Sequence, residues 1–223
     1  MSSSPHIKAF IQARTSSRRF PGKVLTPFRG RPLIDWVWDA AAKAVPRSAI
    51  VLATSTDASD DALAAHALSA GVTVFRGPLD DVFARFSLCL KAHPCDWFFR
   101  VCADSPLLDG GLLSWAASQA GPGVDLVTNV APRSFPKGQS VELIRATAFA
   151  AVDAAALTPE QREHATLAFY QDGRWKVKNL DSGRPEWAKL SLTVDSPEDL
   201  RRLESEYPAG RPLPVWTPAR SAA

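Results

Sequence analysis

Over residues 7–130 the chain alternates short apolar runs of β-leaning residues with stretches of helical spacing, and this alternation restricts the fold more than any other feature. Ala9, Phe10 and Ile11 centre a first strand; residues 49–54, 72–75, 97–102 and 125–130 read as four more, the second buried on both faces. Between them, Pro32 opens a helix running to about residue 44, with Leu33, Trp36, Val37 and Ala40 on its inner face. Ser59, followed by Asp60 and Asp61, starts a second helix that Gly71 ends, and residues 79–92 and 111–120 supply two others. The pattern predicts an α/β sandwich with a mainly parallel sheet, right-handed connections, and ligands at the carboxyl edge of the strands.

Beyond residue 130 the rhythm changes. Residues 132–144 have the turn chemistry of a hairpin around Pro136 and Gly138, residues 147–156 and 159–169 look helical, and 175–179 and 190–194 look like strands. Ser196 caps a closing helix over 197–206. The expectation is a single domain over residues 1–207 with a small inserted β/α arm at about 131–180. The Pro-rich tail, 208–223, is expected to pack poorly.

With 223 residues, 46% of them hydrophobic, the chain can bury a sizeable core. A net charge of +3 confines any basic patch to a local feature, so no nucleic-acid partner is expected. Cys89, Cys95 and Cys102 lack C-x-x-C spacing and read as reduced, buried thiols. Residues 1–6 have no signal-peptide pattern and no apolar run approaches a membrane span, so the expectation is a cytoplasmic protein without a membrane partner.

The first strand runs directly into a cationic loop. Arg14, Arg18, Arg19 and Lys23 bring charge, and Ser16 and Ser17 bring hydroxyls, to a segment placed where open α/β sheets bind phosphates. Taken alone, such a loop is equally a basic surface turn. No G-x-x-x-x-G-K-[ST] sequence occurs. Two aspartates, Asp104 and Asp195, each follow an apolar run. From the residues alone, each is either a carboxylate in the cleft or the cap of the turn or helix that follows.

Ala13, Arg14, Ser17, Arg19, Pro21, Gly22 and Lys23 resemble the A-R-x-x-S-x-R-x-P-G-K signature of sugar nucleotidyltransferases. The likeness is greatest to the spore coat polysaccharide biosynthesis protein F-like cytidylyltransferases, with the acylneuraminate and ketodeoxyoctonate cytidylyltransferases as relatives. Arg100, Asp104, Pro106 and Leu107 match R-x-x-G-D-x-P-L, and residues 193–200 match T-V-D-[ST]-P-E-D-L. Phe75, Arg76, Gly77, Asp81, Val82 and Arg85 match F-R-G-x-x-x-D-V-L-x-R, where Asp81 and Arg85 are also an ordinary i,i+4 pair. Asn129, Arg133, Phe135, Pro136, Gly138, Val141 and Glu142 match a fifth segment, and Arg162, Glu163, His164 and Thr166 a sixth, all in the family's order.

The resemblance implies a Rossmann-like, three-layer, glycosyltransferase-A-like nucleotidyltransferase fold. It implies transfer of CMP from CTP to a sugar-like or acidic acceptor with release of pyrophosphate, for glycan or polysaccharide biosynthesis. Carried over residue by residue, it puts Ala13, Arg14, Ser17, Arg19, Lys23, Arg76, Arg100 and Asp104 around the nucleotide, with Arg14, Arg19 and Lys23 catalytic. Asp104 and Asp195 would hold Mg2+, and Arg133, Lys137, Glu142 and His164 would face the acceptor. Relatives' habits suggest a homodimer. Ser16 and Ala103 replace family glycines and Ser140 replaces an aspartate. These departures keep two alternatives open: a guanylyl- or uridylyltransferase acting on a sugar-1-phosphate, and a catalytically silent nucleotide binder.

Overall fold

A computed structural model describes residues 5–216. In chain order it contains β1 (Ile7–Gln12), a ribbon of β2 (Pro27–Phe28) and β3 (Arg31–Pro32), then α1 (Leu33–Ala41), β4 (Ile50–Ser55), α2 (Asp61–Ser69), β5 (Thr73–Gly77), α3 (Val82–Ala92) and β6 (Trp97–Cys102). There follow α4 (Gly110–Ala117), β7 (Leu126–Thr128), β8 (Glu142–Arg145), α5 (Ala146–Ala150), α6 (Pro159–Glu163), α7 (Leu167–Gln171), β9 (Val177–Asn179) and α8 (Pro197–Glu206).

Seven strands form one sheet in the order β5-β4-β1-β6-β8-β7-β9. The pairs β4–β5, β1–β4, β1–β6 and β7–β9 are parallel, and β8 runs antiparallel to both its neighbours. The side-chain period of two splits the core. Ala9 and Ile11 of β1 pack on one face with α1 and α4, whereas Phe10 packs on the other with α3, α5 and α7. On that second face Phe10 stacks on Phe98 at 4.9 Å, and Phe98 meets Phe149 edge-on at 5.2 Å. Helices on both sides of a mostly parallel sheet make the three-layer α/β architecture that the alternation predicts.

The stretch 131–180 gives β8 and β9 to the sheet and lays α5, α6 and α7 beside α3. Within it, residues 132–144 form no hairpin. A single bridge joins Val130 to Arg133, and the Asn129 side chain takes over the ladder's work, donating to Gln139 O and accepting from Val141 N. Nor do residues 190–194 form a strand; they keep one bridge, Lys137 to Ser191. The expected helix over 159–169 divides at His164, which caps α6. Thr166 in the break donates its hydroxyl to Glu142. In the tail, Trp216 is buried against Trp187 and its backbone N–H donates to Asp109, so residues 208–216 end in an anchored position; residues 217–223 lie outside the described residues.

Candidate active site

The cationic loop leaves β1 at the carboxyl edge and is knotted at Thr15. Thr15 O accepts from Ser17 N (2.9 Å) and Gly22 N (2.8 Å), closing the loop on itself, and Gly22 takes the left-handed φ of 72° that the closure demands. Thr15 N donates to Asp60 Oδ1 at 2.7 Å, while Asp60 Oδ2 accepts from Thr54 and from Ser55 N. Burial raises the Asp60 carboxyl, but the donors on Ser55, Thr15 and Thr54 outweigh it and hold the group below its ordinary value. A buried carboxylate from the start of α2 thus fastens the loop to the end of β4.

The loop forms one wall of a cleft of about 690 Å3, lined by Arg14, Ser16, Ser17, Arg18, Arg19 and Lys23 on that side. The rest of the lining includes Asp104 and Ala103 from the end of β6, Leu79 and Asp80 ahead of α3, and Glu163 at the end of α6.

Two remote segments meet at the foot of the cleft. Val194 N donates to Asp104 O at 2.8 Å, so the two acid-bearing turns are joined through backbone. Ser196 caps α8 in a reciprocal box with Asp199, whose Oδ2 also accepts from Asp195 N at 3.0 Å. The capping job is therefore done, and the Asp195 side chain turns instead to the loop. Lys23 Nζ lies 3.0 Å from Asp195 Oδ1, 2.7 Å from Val194 O and 3.5 Å from Asp104 Oδ2, and Arg19 reaches Asp195 Oδ1 at 3.1 Å. The other Asp104 oxygen accepts from Ser105 Oγ at 3.1 Å. Burial raises the Asp195 carboxyl, yet Lys23 and Arg19 together hold it below the usual carboxylate range.

Gly138 sets the position of the segment leading to Asp195. Its φ is 90°, and a Cβ there would stand 2.8 Å from the Leu192 carbonyl carbon and 2.9 Å from its oxygen. Gly138→Ala is expected to cost about 1–3 kcal/mol of stability and to lower activity further by displacing residues 192–195. Thermal melts and turnover measured together check both halves.

Other residues marked in the sequence fall elsewhere. Arg76 is turned away from the cleft: Nε donates to Ser55 O (2.7 Å), NH2 to Asp57 O (2.8 Å), and NH1 pairs with Asp61 (2.7 Å). Arg100 and Glu142 pair with each other at 2.6 Å below the site, and Glu142 Oε1 also accepts from Thr166 and Tyr170 at 2.7 Å each. Arg133 is half-buried and donates to Pro136 O and to Ser140 Oγ, the hydroxyl standing where the family has a carboxylate. Lys137 and His164 are exposed. Asp81 pairs not with Arg85 but with Arg162, at 2.7 Å, while it caps α3; this clasp presents Glu163 to the cleft. Arg85 is fully buried and donates to Pro78 O and Leu79 O, steadying the segment that carries Asp80.

Sequence reasoning gave no site role to Gln12, Asp60, Asp80 or Glu163. Asp60 was visible only as a helix start, and Glu163 only as a neighbour of His164. The part Asp60 plays depends on Thr15, 45 positions away, and the other three are marked only by lining the folded cleft.

The donor set around Lys23 fits a hard divalent cation. Two carboxylates and a backbone carbonyl, all hard oxygen donors, converge on one positive centre, the Lys23 ammonium. Among the described residues no group of three or more His, Cys, Asp or Glu side chains could hold a metal. Such a site suits Mg2+, which takes one or two carboxylates and completes its shell with substrate phosphates. No helix among the described residues is long and apolar enough to cross a membrane.

An arginine-rich loop lining a cleft, with its lysine and one arginine held against two carboxylates, is the equipment of a nucleotidyltransferase. A sequence model described as Cytidylyltransferase matches residues 9–179, and the chain belongs to that family. It is 30% identical to the spore coat polysaccharide biosynthesis protein SpsF of Bacillus subtilis, over 88% of this chain and 84% of that one. The solved structure of a cytidylyltransferase from Leptospira borgpetersenii superposes with a TM-score of 0.84 at 25% identity, covering 91% of this chain and 87% of that one. CMP:2-keto-3-deoxy-manno-octonic acid synthetase complexed with CTP shares the fold, with a TM-score of 0.69 at 15% identity over 90% of this chain and 98% of that one.

Proposed function

We propose that the protein transfers CMP from CTP to a sugar-like acceptor and releases pyrophosphate, in glycan or polysaccharide synthesis. The observation that carries this reading is the meeting of Lys23 with Asp104 and Asp195 at the foot of the arginine loop. An acceptor oxygen attacks the α-phosphorus in line, the bond to the β-phosphate oxygen breaks, and pyrophosphate departs with that electron pair.

Arg14 and Arg19, with Ser17, bind the β- and γ-phosphates and hold the leaving group's charge; Lys23 sits where this tail meets the acids. Asp104 and Asp195 would hold Mg2+, which when bound neutralises the phosphate oxygens and orients them. Glu163 and Asp80 line the same cleft, where an acceptor's hydroxyls can donate to them. Lys137 and His164 remain acceptor-side residues on this reading, and Glu142 supports the site from below through Arg100. Arg76 and Arg100 act on the nucleotide only through the backbone and the buried layer they secure. Support for cytidine comes from the family and from the CTP bound to the structural relative.

Ser16 and Ala103 leave the cleft open: Ser16 is exposed on its wall, and Ala103 is buried without closing it. Pyrophosphate release measured with CTP, UTP, GTP and ATP against a panel of acidic and neutral sugars, with Mg2+, tests the reading. CTP is expected to be used best. A preference for UTP or GTP with a sugar-1-phosphate would replace the cytidylyl assignment, and CTP binding without pyrophosphate from any acceptor would favour a silent relative.

A further inference from the structure

Lys23 is 9% exposed, and its ammonium has three N–H donors facing three oxygens: Val194 O at 2.7 Å, Asp195 Oδ1 at 3.0 Å and Asp104 Oδ2 at 3.5 Å. A lysine so engaged has no donor left for a phosphate. Local charge is also closed. Asp104 and Asp195 bring two negative charges, and Lys23 with Arg19, 3.1 Å from Asp195, bring two positive ones.

We infer that Lys23 is a placeholder for the divalent cation: in the nucleotide-free protein its ammonium occupies the place between Asp104 and Asp195, and a metal ion enters only when a triphosphate draws it away. The inference uses the proposed function solely in taking these two acids as cation ligands. Adding a divalent ion to a balanced, partly buried cluster would leave it doubly positive, a state that the low-dielectric surroundings disfavour. A nucleoside triphosphate reverses this. Its negative charges offer Lys23 and Arg19 new acceptors, and as they shift toward the phosphates the two carboxylates and the Val194 carbonyl are left facing an incoming cation. Nucleotide and metal therefore bind together, and the acids stay in position beforehand because the ammonium holds them. Lys23 is a positioning residue for the cation site as well as a phosphate ligand.

The sign of one mutational effect separates this from a lysine that only binds phosphate. Mn2+ binding is measured without nucleotide by the loss of the free-ion electron paramagnetic resonance signal, on the wild-type protein, Lys23→Met and Arg19→Gln, with circular dichroism melts to confirm folding. Wild type is expected to bind Mn2+ more weakly than about 0.1 mM. Lys23→Met is expected to bind it tighter by on the order of 10–100-fold, because the competing charge is gone. Arg19→Gln, whose side chain is 70% exposed, is expected to gain less than about threefold. Unchanged or weaker binding by Lys23→Met overturns the inference, as do equal gains in the two variants, which would reflect general charge and not occupancy. Tight binding by the wild type alone, below about 10 µM, overturns it even if Lys23→Met does not fold. If none of the three binds Mn2+, the inference falls together with the assignment of the two acids as cation ligands; binding that is equal in wild type and Lys23→Met removes the inference and leaves that assignment standing.

Discussion

Asp104→Asn is expected to lower kcat by on the order of 10²–10⁴ at saturating CTP and Mg2+, and Asp195→Asn by a similar factor. Both side chains contact Lys23, which lines the cleft, and neither is needed to cap the element that follows it. Asparagine keeps the shape and removes the charge, so the loss falls on the step in which phosphate charge must be neutralised. The fold should tolerate the change, because Asp104 and Asp195 are partly exposed and the Asp104 O to Val194 N bond is made by backbone. Pyrophosphate release at several Mg2+ concentrations, with a melt on the same samples, reads both quantities. A loss under tenfold with unchanged Mg2+ dependence would remove Asp104 from the reacting centre.

The second large effect is on stability. Glu142→Ala is expected to cost about 3–5 kcal/mol, because it strands the Arg100 guanidinium in the interior and frees the hydroxyls of Thr166 and Tyr170. Chemical denaturation measures it directly. The same group gives a signed pH dependence. Burial raises the Glu142 carboxyl, but the Arg100 charge and the Thr166 and Tyr170 hydroxyls outweigh it and hold the folded-state value below the ordinary 4.5. A carboxylate depressed on folding stabilises the protein above its unfolded-state value, and that contribution fades as pH falls through the folded-state value. Wild-type stability should therefore decline below about pH 4.5, and in Glu142→Gln this part of the decline should be missing.

What the sequence showed clearly is what depends on near neighbours. The run Trp97–Cys102 is a mostly buried strand, parallel to β1 and antiparallel to β8, with the bounds its apolar pattern suggests, and Ser196 caps Pro197–Glu206 because serine, proline and two acids within four positions define a helix start. Both aspartates, with the arginine loop, were legible as parts of one site through their family motifs. What was hidden depends on partners distant in sequence. Residues 190–194 are apolar enough for a strand but meet only Lys137, so their pattern reports burial without pairing. Arg100 looked like a ligand for the nucleotide; its direction is set by Glu142 on the neighbouring antiparallel strand, 42 positions on. Arg76 is claimed by carbonyls at the end of β4 and by Asp61, which no reading of residues 75–85 could reveal. The pair of acids with a lysine between them likewise has no local signature, because the Lys23 to Asp195 contact spans 172 positions.

The most direct test of the whole account is a crystal structure with a non-hydrolysable CTP analogue and Mn2+, located by its anomalous scattering. The account predicts one manganese between Asp104 and Asp195, the triphosphate against Arg14 and Arg19, and Lys23 moved from the acids to a phosphate oxygen. A nucleotide bound outside this cleft, or a metal held by other side chains while Lys23 stays on Asp195, would contradict it.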